Sequence, residues 1–148
     1  MTVKAIPEGY SSITPYLLLH DVRGFLDFVK NAFDAETAFV FESSDGGIKH
    51  AQLKIGNAMM MVGEAPSTND IMPAPLYLYV EDCDATYDQA MAAGAETIMP
   101  CEDMFYGDRH GGVMDPFGNI WWIATHIEDV DEAELQKRAA QFEADQQQ

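Results

Sequence analysis

Basic side chains are scarce in this chain of 148 residues: 8 Lys and Arg stand against 25 Asp and Glu, a formal charge of −17 at pH 7. No basic stripe occurs anywhere along it, so nucleic-acid phosphates and anionic membrane surfaces are both poor partners. Only two cysteines occur, Cys83 and Cys101, with no CxxC pattern. That excludes a disulfide framework and leaves two ordinary thiols, as expected in a reducing compartment. No apolar run reaches membrane-spanning length, and the opening "MTVKAIPEGY" has no apolar leader. The expectation is a cytoplasmic protein without nucleic-acid or membrane partners. Apolar residues, by contrast, make up 47% of the chain. A chain of this length can bury roughly 70% of its unfolded surface, enough for a real core.

Periodicity divides the chain. "ITPYLLLH" (13–20) is strand-like, and "DVRGFLDFVKNAF" (21–33) shifts to helical spacing with Asp21 as N-cap. "ETAFVFES" (36–43), "IKHAQLKI" (48–55) and "AMMMVG" (58–63) read as strands, the last two joined by a Gly56-Asn57 hairpin turn. A polar, Pro-rich linker covers 64–75, and then the order repeats. "LYLYVED" (76–82) is a strand, "DATYDQAMAAG" (84–94) a helix capped by Asp82 or Asp84, and "AETIMP" a strand. "DPFG" (115–118) fits a type I turn between the strands "GGVM" and "NIWWIAT", which makes 106–112, "YGDRHGG", a polar loop leading in.

The halves match in sequence as well as in order. An offset of 61 superposes Tyr16-Leu17 on Tyr77-Leu78 and Asp21 on Asp82, and after the helix an offset of 60 matches Ala35-Glu36-Thr37 to Ala95-Glu96-Thr97. This favours duplication of one strand–helix–strand–strand–strand unit. From Asp131 a capping box with Glu134 opens a last helix whose thin stripe, Leu135, Ala139 and Phe142, packs either on its own domain or across a partner subunit.

The segments "IPEGYSSITPYL", "IKHAQLKIG", "EDMFYGDR" and "DPFGNIWWIATHIEDV" together resemble the vicinal oxygen chelate superfamily of glyoxalase, bleomycin-resistance and dioxygenase proteins, in its PhnB-like branch. The resemblance implies an α+β fold of two βαβββ modules, each a cupped mixed sheet with its helix outside, around a ligand cavity and usually in a homodimer. The expected layout is one glyoxalase-like domain, 1–130, with module one at 10–63, the linker at 64–75 and module two at 76–127. A C-terminal helix and tail, 131–148, follow.

Metal-dependent members of that superfamily take one His, Gln or Glu ligand from each of four strands. Carried onto this chain, the pattern falls on Thr14, Met61, Pro75 and Trp122, none a competent ligand, and shifting the register by one does not help. No metal site and no cofactor are therefore expected.

Alternation places Leu17, Leu19, Leu76, Leu78, Val80, Trp121 and Ile123 under the helices. Tyr16, His50, Gln52, Met61, Tyr77, Tyr79 and Trp122 then line the opposite face, an aromatic, Met-lined cleft with few polar handles. Those seven, with Arg109 from the 106–112 loop, are the candidate ligand-binding residues. His20 reads as a junction residue, His126 as a solvated strand end and His110 as a loop residue. The loop either closes over the cleft or is pinned by an Asp108–Arg109 ion pair. Three functions remain open. One is metal-independent binding of a small neutral or cationic, flat molecule, as bleomycin-resistance proteins sequester a drug. The second is a lyase, isomerase or dioxygenase-like enzyme using Tyr16, Tyr77, His50, Asp108, Arg109 or His110. The third is a scaffolding dimer with the cleft packed shut.

Overall fold

The computed structural model describes residues 2–147. Strand β1 (Tyr16–Leu19) leads to helix α1 (Val22–Phe33), then β2 (Glu36–Glu42), β3 (Ile48–Ile55) and β4 (Ala58–Glu64). The second unit repeats this as β5 (Pro75–Tyr79), α2 (Cys83–Ala92), β6 (Glu96–Asp103), β7 (Asp108–Met114) and β8 (Ile120–His126), and α3 (Glu132–Gln146) closes the chain. Each unit forms one four-stranded mixed sheet, ordered β1-β4-β3-β2 and β5-β8-β7-β6. In both, the first strand lies parallel to the last, because the intervening helix carries the chain over the sheet. This is the expected α+β architecture of paired βαβββ units.

Local chemistry sets the helix boundaries. Asp21, Asp82 and Asp131 each cap a helix by accepting from the backbone N–H three residues on. The expected capping box at α3 is only half formed, since the Glu134 carboxylate accepts from Arg138 Nε. Segment 64–75 is more than a linker. It makes one 3-10 turn, Thr68–Asp70, and Met72 exchanges backbone hydrogen bonds with Leu18, extending the edge of the first sheet.

The core lies between the helices and one face of each sheet. Leu17, Leu19, Ala51, Leu53 and Val62 are buried beneath α1, and Val113, Trp121 and Ile123 complete the core in the second unit. The two units share it. Phe117, from the β7–β8 turn, meets Phe25 and Phe28 of α1 edge-on, and Phe33 packs on Trp121 with ring centroids 4.6 Å apart. Gly24 explains itself here: a side chain at that position of α1 would come within 3.1 Å of the Phe117 ring and collide with the capping Asp21 carboxylate. The helix accepts a glycine's intrinsic penalty to let the second unit approach.

The expected DPFG turn is present, with Gly118 N–H donating to Asp115 O. Asp115 is buried, and its carboxylate accepts from the backbone N–H groups of Phe117 and Asn119, from Asn119 Nδ2 and from Trp121 Nε1. Removing it would strand four donors, each costing about 1–3 kcal/mol if left buried without a partner. Asp115→Ala is therefore expected to lower the unfolding free energy by at least about 3 kcal/mol in urea titrations.

Candidate functional site

The face of each sheet away from its helix is open, and the same three-residue row crosses both. On the first sheet Tyr16 of β1 sits opposite Met61 of β4, and Gln52 of β3 flanks Met61 on the other side. On the second sheet the row is Tyr77, Trp122 and Gly112. A histidine stands two residues before the third position in each case, His50 and His110, and each lies against its row's tyrosine. The ring centroids are 5.7 Å apart for Tyr16–His50 and 5.8 Å for Tyr77–His110. The offset of 60 that matches 35–37 to 95–97 also carries His50 onto His110. That was the available signal for the equivalence.

The two rows differ where it matters. In the first, Gln52 accepts from Tyr10 Oη at 2.6 Å and lies 3.4 Å from His50 Nε2, so the row is polar. In the second, glycine replaces glutamine, and a Cβ at Gly112 would fall 2.4 Å from Trp122 Cζ3. The indole therefore lies flat across Gly112. His110 stacks against it, with ring centroids 5.4 Å apart and planes inclined by 23°.

Beside this platform Asp108, buried at the start of β7, gathers three donors. Tyr77 and Tyr79 hydroxyls donate to Oδ2 at 2.7 and 2.8 Å, and His126 Nδ1 meets Oδ1 at 2.8 Å. His126 Nε2 in turn meets Asp129 at 2.8 Å, so the ring bridges two carboxylates. Burial pushes the Asp108 carboxyl up, but the hydrogen bonds from His126, Tyr77 and Tyr79 outweigh it and hold it below its ordinary 3.8. The bonds to Asp108 and Asp129 raise His126 above 6.5. Burial lowers His110, leaving it a neutral ring, and burial with Tyr106 and Asp108 raises the Tyr77 phenol far beyond its ordinary range. Tyr77 is a neutral donor, not a phenolate.

Several expectations need correction. Segment 106–112 is no loop: Asp108 onward is strand β7, entered by a tight turn in which Gly107 N–H donates to Met104 O. Asp108 and Arg109 do not pair, because adjacent residues of a strand point to opposite faces. Asp108 joins the open face, whereas Arg109 turns to the helix side and binds Asp84 of α2 at 2.8 Å and Asp103 at 3.1 Å. Arg109 thus stands apart from the other seven candidates. His126 is the exposed end of β8, as expected, and it also meets two carboxylates, whereas His110 is a buried strand residue. His50 meets Tyr16 and Gln52 on the first sheet, while Asp108, His110 and His126 gather on the second. Helix α3 packs on its own chain: Arg138 binds Glu128 and Phe105 O, and Phe142 lies 5.1 Å from Phe105.

At the four superfamily ligand positions the donor set does not fit a divalent ion. Thr14 offers a weakly ligating hydroxyl, Met61 a thioether, and Pro75 and Trp122 nothing usable. The neighbouring Tyr77 phenol, whose ionisation burial opposes, adds no anionic oxygen.

The Glyoxalase/Bleomycin resistance protein/Dioxygenase superfamily profile matches residues 16–123, and the chain belongs to that superfamily. Among its relatives is an uncharacterized protein of Mycobacterium bovis, 31% identical over 136 residues, covering 84% of this chain and 90% of that protein. An uncharacterized Mycobacterium tuberculosis protein is equally identical, with 80% of its length covered. TioX from Micromonospora has the same fold, at TM-score 0.68 and 24% identity over 79% of this chain and 99% of that one. So does the PhnB protein of Bacillus cereus, at TM-score 0.63 and 17% identity over 78% and 99%.

The His126 bridge carries a pH signature. A group raised above 6.5 contributes in full below that pH, and its contribution is lost as pH climbs through the raised value. Asp108, held below 3.8, contributes above that pH and is lost only as acid titrates it. The stability gap between the native chain and His126→Gln should be wide near about pH 5.5 and shrink by about pH 9, as read by urea unfolding. A gap independent of pH would contradict the bridge.

Proposed function

We propose that this protein binds a small, flat, neutral or cationic molecule without a metal, as a homodimer in the cytoplasm. The observation that carries this reading is Trp122. At a position where metal-dependent relatives place a ligand, an indole lies flat on Gly112 and offers its ring to the open face. Tyr77 and Tyr79, 42% and 59% exposed, stand beside it. Both phenols commit their protons to Asp108, so their oxygens offer a ligand acceptor lone pairs only. That selects a partner bearing N–H or O–H donors. A charge of −17 and the aromatic rings further favour a cation, with a desolvated cation–π contact worth roughly 2 kcal/mol.

The dimer is supported by what one chain leaves open. Tyr16, Phe39 and Phe41 are about half exposed on the first sheet. The apolar cleft where the sheets meet, lined by Met59, Tyr77 and Trp121 among others, holds only about 120 Å³. Ligand sites usually span about 300–1,000 Å³. A second copy over the open faces would cover these rings. An enzyme reading would draw on Tyr77, Asp108 and His110, which gather on the second sheet, while His50 stands on the first. The scaffolding reading needs the open faces packed shut by protein alone.

The test is a thermal-shift screen of chelator-treated protein against planar cations and neutral aromatics. A ligand at roughly 100 times its Kd raises apparent stability by about 2.7 kcal/mol, or several degrees. The expected hits survive chelation, are lost in Trp122→Ala, and bind a species that sediments as a dimer. Stabilisation that vanishes on chelation and returns with a divalent ion would overturn the metal-free reading.

A further inference from the structure

On the helix side of the second sheet, away from Trp122, two thiols and a carboxylate converge. Cys83 opens α2 and is fully buried, Cys101 lies on β6 and is half-buried, and Asp84 follows Cys83. The two Sγ atoms and a carboxylate oxygen of Asp84 all lie within 4.8 Å of one another. Cys83 Sγ is 3.8 Å from Asp84 Oδ2, and Cys101 Sγ is 3.8 Å from the Cys83 carbonyl oxygen. A tetrahedral zinc site with Zn–S near 2.3 Å and Zn–O near 2.0 Å has ligand atoms roughly 3.5–3.8 Å apart. The three donors need move by an ångström or less to meet that spacing.

The surroundings are built for it as well. Gly111 lets Cys101 come in close: a Cβ there would strike Cys101 Sγ at 2.8 Å and Tyr87 Cδ2 at 2.9 Å. Arg109 grips both Asp84 oxygens, Nε to Oδ2 at 2.8 Å and Nη2 to Oδ1 at 3.0 Å, and fixes the carboxylate without exhausting its lone pairs. That is the part an outer partner plays in orienting a metal ligand. Its charge is shared with Asp103, so the cluster is not left net cationic. The half-exposed Cys101 supplies an entry path.

We propose that Cys83, Cys101 and Asp84 form a site for one thiophilic divalent cation, Zn²⁺ or Cd²⁺, with water as the fourth ligand. The site is separate from the open faces and independent of the ligand-binding reading. Binding forms two metal–sulfur bonds and breaks two S–H bonds, releasing two protons to solvent for each ion. Soft sulfur donors select such ions over Mg²⁺ and Ca²⁺.

The probe is Cd²⁺ added to the reduced full chain, followed by the ultraviolet sulfur-to-metal charge-transfer band. The band should saturate at one ion per chain, be displaced by Zn²⁺ and persist in excess Mg²⁺. It should vanish in both Cys101→Ser and Cys83→Ser, and Asp84→Asn should weaken binding by at least about tenfold. The unaltered chain gives a second measure that no folding defect can confuse: Cd²⁺ should protect Cys101 from alkylation by iodoacetamide. No band, a band unchanged in either serine variant, or alkylation at the same rate with and without Cd²⁺ would each overturn the site.

Discussion

The register of β8 decides what this protein presents on its open face, and the bond from Trp121 Nε1 to the buried Asp115 carboxylate holds that register. Side chains alternate along a strand, so a slip of one residue would exchange Trp121 with Trp122 and turn every neighbour over with them. Trp121 goes inward, against Phe33 and beneath the helices, and Trp122 must go outward. Asp115 also shapes the turn that delivers Phe117 to α1. One carboxylate thus ties the hairpin, the contact between units and the aromatic platform into a single arrangement.

Two copies of one structural unit have taken different chemistry on that common frame. The rows Tyr16–Met61–Gln52 and Tyr77–Trp122–Gly112 occupy equivalent places, each with a histidine against its tyrosine. Where the first row has an amide side chain the second has glycine, which leaves the space an indole needs and makes the second row a flat stacking surface. Next to it, a buried carboxylate with three donors fixes the orientation of two phenols. The first row has a polar amide and a histidine, and the two halves of the chain therefore present unlike surfaces.

Most of the fold was legible because strand and helix periods differ and because aspartate caps and the DPFG turn carry strong local signals. Trp121 and Trp122 could be assigned to opposite faces by alternation alone. The centre of the second face was not legible, for a specific reason. Reading 106–112 as a loop discarded alternation at the place where it would have separated Asp108 from Arg109. The glycines of "GDRHGG" have packing roles in this strand: Gly112 admits Trp122 and Gly111 admits Cys101. The contact of His126 with Asp108 was not legible because Asp108 opens β7, and only the pairing of β7 with β8 brings the two together, whereas Asp129 lies three residues on. The thiol cluster depends on the packing of α2 over β6, a contact no spacing in the sequence encodes.

The claim that Trp122 is the binding platform is open to direct measurement, because the chain has two tryptophans and Trp121 is buried as an internal reference. Titration with an N-methylquinolinium ion in the presence of chelator should quench part of the indole fluorescence saturably. Trp122→Phe should abolish that quenching while leaving the Trp121 emission in place. Equal quenching in Trp122→Phe, or none in the unaltered chain, would contradict the account.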